Sequence, residues 1–185
     1  MLEQARVSAG GQVYVIDPEF DPDGQVPGWA VRGYYPVDRG GTLDTSGWVA
    51  NPDYRPGPLT RGWARPGNRV ERALQLAAAG HQPDALLLAA LAQADVVILT
   101  TDQQRDAIPV LAGENGQSTV AVFTSSEHLD ATTPHRSIAV ADLLPLLPTV
   151  AVIVNPGHVP SARLDGAALA EAVKAAQATP DGLKP

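Results

Sequence analysis

Ser125, His128 and Asp130 put the residue types of a serine hydrolase into one short run. Nucleophile, base and orienting carboxylate normally converge from separate elements, and no Gly-x-Ser-x-Gly elbow surrounds Ser125. Thr124 with Glu127 three residues on forms a Thr-x-x-Glu capping box, which explains the run as a short helix after a strand, with Thr124 as the cap. A hydrolase centred on Ser125/His128 is therefore the alternative reading, and no residue is assigned as catalytic. Asn155-Pro156-Gly157-His158 follows an apolar run, where α/β proteins often bind ligands, so a small-ligand sensor with a pocket near Asn155–His158 is a further alternative. Without Gly-x-Gly-x-x-Gly or Gly-x-x-x-x-Gly-Lys there is no phosphate cradle. Pro156-Gly157 then reads as a turn and His158 as a surface residue. Asp17, Asp21 and Asp23 precede Gly24, as in a calcium loop. An EF-hand loop with Gly24 sixth would run from Glu19 to Ala30, which lacks the closing bidentate glutamate, so an acidic turn is expected. The four histidines stand apart in the sequence with no His-x-x-x-His pair, and there are no cysteines. No metal and no cofactor are expected.

The elements that must position these groups divide into two unlike parts. Tyr14, Phe20, Trp29, Tyr34, Tyr35, Trp48, Tyr54 and Trp63 all precede residue 66, and Phe123 is the sole aromatic after it. The aromatic part is rich in glycine and proline, hence turn-rich and helix-poor. Strand-like runs lie at Val13–Ile16, Trp29–Tyr35 and Gly47–Ala50, with a hairpin turn at Asp38-Arg39-Gly40-Gly41. Alternation would put Trp29, Val31, Gly33 and Tyr35 on one face, with Tyr14, Trp29 and Tyr35 packed on the sheet and Tyr34 pointing away. Asn51 to Pro58 holds three prolines and should be an extended strap that buries rings to offset its ordering entropy. Tyr34, Tyr54, Arg55 and Trp63 are the candidate protein interface, being of hot-spot type without a periodic reason to face inward.

From residue 67 the pattern alternates helix and strand. Helices are expected at Asn68–Ala79, opened by an Asn68/Glu71 capping box and closed by Gly80, at Pro83–Gln93, and at Gly166–Gln177. The second is apolar all round and should be deeply buried. Strands are expected at Val96–Leu99, Ile108–Leu111, Thr119–Phe123, Ser137–Val140 and Val150–Val154, with a hairpin at Asn115-Gly116 and a helical turn at Leu143–Leu147 broken by Pro145. Val96–Leu99, Thr119–Phe123 and the central Val150–Val154 should share one sheet. The fold class is α/β (α+β): a mixed β-sheet flanked by about three helices, with an aromatic, Pro/Gly-rich β-type N-terminal extension packed on it. Residues 1–12 read as a flexible tail, 13–66 as the extension, 67–178 as the α/β domain and 179–185 as a frayed tail, one compact unit overall.

With 185 residues, 44% of them apolar and 18% charged, the chain is globular in composition. A net charge of −7 argues against nucleic acid and anionic lipid as partners. The run Ala85–Ala92 falls far short of the ~20 residues that cross a bilayer. The N-terminus lacks the pattern of a signal peptide, so a cytoplasmic protein without membrane insertion is expected.

Pro83-Asp84-Ala85-Leu86-Leu87-Leu88-Ala89-Ala90-Leu91-Ala92, then Ile108-Pro109-Val110-Leu111, Val120 to Leu129 with its Phe-Thr-Ser-x-Glu-x-Leu-like turn, and Val152-Ile153-Val154-Asn155-Pro156-Gly157 resemble the SseB N-terminal-domain family over roughly residues 70–177. The runs Ile16 to Gly24 and Asn51 to Pro56 resemble the extension of actinobacterial members called type VII secretion system-associated proteins. The family often has Val-Pro after the buried helix, where this chain has Leu99-Thr100-Thr101. The resemblance implies an accessory or adaptor protein, not an enzyme, with a chaperone-like or immunity role toward a secretion component or secreted substrate. It carries over no catalytic residue. A monomer or homodimer is expected.

Overall fold

The computed structural model describes residues 5–7, 11–101, 107–113 and 116–178. The chain divides into two compact units: Met1–Arg65 with Ala79–His81, and Pro66–Ala78 with Gln82–Pro185.

The first unit is an antiparallel sheet in the order β1 (Ala5–Val7), β2 (Gln12–Ile16), β3 (Val31–Pro36), β4 (Val49–Ala50). β1 lies within the stretch expected to be a tail, and it pairs along β2. The Asp38 turn forms as expected. Val37 bridges Leu43, and the Asp38 carboxylate accepts from the N–H groups of Gly40 and Thr42, both at 2.8 Å. Two side-chain placements differ from the alternation argument. Trp29 sits in a 3₁₀ turn, Gly28–Ala30, not on a strand, and packs edge-on against Phe20. Tyr14 is opposite Tyr34 in the β2–β3 register, so these two share a face while Tyr35 takes the other with Trp48. Trp48 lies against the Cα of Gly33, where any Cβ would meet its ring and the Val49 carbonyl.

The second unit holds the three α-helices found among the described residues, α1 (Arg69–Ala78), α2 (Asp84–Ala92) and α3 (Gly166–Ala178), and the main apolar core. α1 starts and stops where the caps predict. The Asn68 side chain accepts from Glu71 N–H at 2.9 Å, and Gly80 is left-handed with φ 75°. Asp165 accepts from Ala167 N–H at 2.8 Å and opens α3. Its first residue, Gly166, lies so close to the carbonyls of Leu147 and Val150 that no side chain fits. α2 departs from expectation. Leu87, Ala90, Leu91 and Ala92 are buried, but Leu86 is 53% exposed. Flanked by α1 and α3, α2 buries one side and presents apolar residues on the other.

The strands of this unit are β5 (Asp95–Leu99), β6 (Leu111–Ala112), β7 (Ser118–Val122), β8 (His135–Ala139), β9 (Ala151–Val154) and β10 (Ala162–Asp165). They form a mixed sheet in the order β10-β9-β7-β6, with β7 and β9 parallel and the other neighbours antiparallel. β9 is central, as its continuous apolar run predicts; β6 pairs antiparallel with β7 but is only Leu111–Ala112, not the expected Ile108–Leu111, and Asn115 of the expected turn lies outside the described residues. The one-sheet expectation for the first strand is corrected. β5 pairs with β8 in a separate two-stranded ladder and meets the larger sheet at a single bridge, Val97 to Phe123, through two 2.8 Å hydrogen bonds. The edge of β7 is shared: β6 takes its start, so β5 reaches only the residue after its end. Two 3₁₀ turns, Val140–Leu143 and Leu147–Thr149, flank Pro145. The architecture is a mixed α/β fold. No helix among the described residues is long and apolar enough to cross a membrane.

Candidate functional site

The carboxyl ends of the parallel pair β7 and β9 carry a dense polar cluster. After β9 the chain turns at Asn155-Pro156-Gly157-His158, closed by His158 N–H to the Asn155 carbonyl at 3.1 Å. Proline second and left-handed Gly157 third (φ 80°) are the signature of a type II turn. Asn155 is itself left-handed, with φ 51°, a conformation asparagine tolerates better than other side chains. It is 2% exposed. Its carbonyl oxygen accepts from Thr124 N–H at 2.8 Å, and its amide donates to the Thr124 hydroxyl at 2.9 Å. Thr124 is the second residue after β7, so these bonds tie the two strand ends side chain to backbone.

Glu71 joins the cluster from α1. One carboxylate oxygen accepts from Gly67 N–H at 2.6 Å, a capping box whose return bond reaches one residue before the cap. The other lies 3.0 Å from the Thr124 hydroxyl and 3.1 Å from His128 Nε2. Burial alone would raise the Glu71 pKa. The Gly67 N–H, the Thr124 hydroxyl and His128 overcome that and hold it below its ordinary value. With the carboxylate accepting at Oε1, Nε2 of His128 carries the proton, and the lone pair is left on Nδ1. The His158 ring stands 4.8 Å from that of His128, tilted by 56°, and 6.2 Å from Phe123.

The expected cap is moved by one residue. Ser125, not Thr124, caps the 3₁₀ turn Ser126–His128, accepting from Glu127 N–H at 3.1 Å. Thr124 is instead buried in the Asn155–Glu71 network. Among the described residues Ser125 and His128 are joined only through the backbone, His128 N–H to the Ser125 carbonyl at 3.3 Å, and no side-chain hydrogen bond links Ser125, His128 and Asp130. The four histidines looked isolated along the chain, yet the fold brings His128 and His158 together. Glu71 and Thr124 were read only as caps, because their convergence depends on the pairing of elements distant in sequence.

The candidate interface residues all lie in the first unit, in two places. Asp17 is fully buried and collects the strap: it accepts from the Tyr54 hydroxyl at 2.6 Å, Gly57 N–H at 2.9 Å, the Thr60 hydroxyl at 3.0 Å and Glu19 N–H at 3.0 Å. Burial opposes its ionisation, but these donors, Tyr54 first, hold its pKa below the ordinary value. The Tyr54 hydroxyl is pushed up in turn by burial and by that carboxylate. Asp21 accepts from Asp23 N–H at 2.9 Å in a local turn, whereas Asp17 spends its carboxylate mainly on the distant strap. Asn51 donates to the carbonyls of Gly28 and Val31 at 2.9 and 2.7 Å, laying the strap along the backbone at the start of β3. Arg55 reaches the Gly80 carbonyl at 3.5 Å, and the Arg61 guanidinium lies 5.5 Å over Trp63. Trp63 stays half-buried. Tyr34 lines a groove of about 380 Å³ with Tyr14, Val31, Val49, Ala50 and Pro52.

No curated protein and no solved structure matches the chain. The family model described as the SseB protein N-terminal domain matches residues 70–171, more than half of the 185 residues and the span that holds Glu71, Thr124, His128 and Asn155. By that match the chain belongs to the SseB N-terminal domain family.

Proposed function

We propose that this protein is a secretion-associated accessory or adaptor protein, without catalytic activity of its own, that works by binding another protein. Membership of the SseB family supports an accessory role in secretion. The finer reading is a cytoplasmic protein of an actinobacterial type VII secretion system, chaperone-like or an immunity factor, partnered by a secretion component or a secreted substrate.

The observation that carries the binding reading is the groove beside Tyr34. Its lining is Tyr14, Gly28, Val31, Gly33, Tyr34, Val49, Ala50, Asn51 and Pro52. It holds no carboxylate, imidazole, amine or serine hydroxyl. Such a surface offers apolar area and two phenol rings, which suits an anchoring side chain of an extended partner segment more than a reaction. Val49 and the neighbouring Trp48 are about 40% exposed, so the apolar surface continues past the groove.

The test is affinity capture from a native lysate, read by mass spectrometry, with the natural chain and with Tyr34→Ala and Val49→Asp. Specific capture that both variants lose, at unchanged melting temperature, is expected. Retention of the same partner by both variants refutes the groove as its site. Hydrolysis of an ester or peptide panel, abolished by Ser125→Ala, would establish the enzyme alternative instead.

A further inference from the structure

We propose that His128 and His158 form a binding site for a single divalent transition-metal ion of the zinc or copper type. This departs from the sequence-based expectation of no metal and is independent of the binding reading above. It rests on where the fold puts the two rings. His128 ends the 3₁₀ turn after β7, and His158 ends the type II turn after the parallel neighbour β9. Their centroids are 4.8 Å apart. An ion ~2.0–2.1 Å from one nitrogen of each ring would hold the centroids roughly 4.5–5.2 Å apart, for ligand angles between octahedral and tetrahedral. The observed separation lies inside that window.

The hydrogen bonding also leaves the right atoms free. Nε2 of His128 faces the Glu71 carboxylate at 3.1 Å, which fixes the tautomer and orients the ring. A carboxylate on the far nitrogen of a ligating histidine is the usual arrangement around such ions. Asn155 Nδ2 stands 3.4 Å from the same Nε2, too far and donor against donor to compete with the Glu71 carboxylate at 3.1 Å, and it makes no use of Nδ1. His158 is exposed, and among the described residues no hydrogen bond engages its ring, so either of its nitrogens can turn to the ion. Two imidazoles supply two ligands, and water fills the other positions. No third histidine, cysteine or carboxylate among the described residues completes a larger cluster. The expected ligand class is therefore a nitrogen-preferring ion such as zinc(II) or copper(II), not calcium or magnesium.

The experiment is isothermal titration of the untagged full chain with zinc(II) and with copper(II) in a non-coordinating buffer. The comparison uses His158→Ala, His128→Ala and Glu71→Gln, with His81→Ala and His135→Ala as controls. Their rings hydrogen-bond the backbone carbonyls of Arg55 and Thr133. Stoichiometric binding should vanish in His158→Ala and His128→Ala, weaken ~10–100-fold in Glu71→Gln, and persist in both controls. Because the His158 ring is exposed and unbonded, its variant folds, which circular dichroism verifies. Absence of binding to the natural chain, or equal binding by His158→Ala, overturns the proposal. Unchanged affinity in Glu71→Gln overturns the role given to Glu71.

Discussion

Asn155 offers a perturbation whose cost separates into two parts. Replaced by alanine, it loses the carbonyl that accepts from the buried Thr124 N–H at 2.8 Å, and the left-handed backbone at φ 51° now carries a Cβ without a compensating side chain. An orphaned buried donor costs about 1–3 kcal/mol. A left-handed alanine costs a further ~1–2 kcal/mol. Asn155→Ala should therefore lose about 2–5 kcal/mol by these two principles together. Asn155→Gly removes the same hydrogen bonds but adopts the conformation freely, so it should lose about 1–3 kcal/mol. Urea unfolding followed by far-ultraviolet circular dichroism, which reads the three helices of the second unit, measures both. Glycine must be the better tolerated by about 1 kcal/mol. Equal losses would show that the backbone conformation has no energetic part. A loss below about 0.5 kcal/mol in both, the scale of an ordinary surface change, would refute the view that Asn155 ties the strand ends.

Tyr54→Phe keeps the ring and removes the 2.6 Å donor to buried Asp17; a hydrogen bond to a charged group is worth about 1.5–3 kcal/mol, and tryptophan fluorescence during unfolding should register that loss. Ser125→Ala should cost ~0.5–2 kcal/mol, since Ser125 is the cap, with the low end expected for so short a turn; a melt unchanged within error would return the cap to Thr124. Glu71 is held below its ordinary value of 4.5. Its contribution is therefore complete above that pH and is lost as pH falls through the lower folded value. Acid melting of Glu71→Gln should be flatter than that of the natural chain below about pH 4.5, and parallel curves would refute the assignment.

What was legible in the sequence was local. Asn68, Glu71, Gly80 and Asp165 mark helix ends by bonds spanning four residues or fewer, and the helices begin and end within a residue or so of those marks. Val150–Val154 read as central because burial on both faces demands a continuous apolar run. β10 went unseen, since Ala162–Asp165 is four residues long with two of them charged. Trp29 was misplaced because strand alternation was extended backward into a 3₁₀ turn. The polar cluster was not legible: it joins Glu71 to His128, 57 positions apart, and Thr124 to Asn155, 31 apart. The parallel pairing of β7 with β9 brings Thr124 and Asn155 within reach, and the Asn68 amide on the Thr124 carbonyl at 2.9 Å sets the start of α1, with Glu71, beside them.

The split of the aromatics gives the protein a built-in optical partition. Every tyrosine and tryptophan belongs to the first unit, and every α-helix among the described residues belongs to the second. Intrinsic fluorescence therefore reports the first unit alone, while the helical ellipticity reports the second. The two transitions can be recorded on one unlabelled sample. The same partition sets a trap for purification: a proteolytic fragment carrying only the second unit would hold Phe123 as its one aromatic. Such a fragment would pass a near-ultraviolet detector almost unseen, and only peptide-bond absorbance would reveal it.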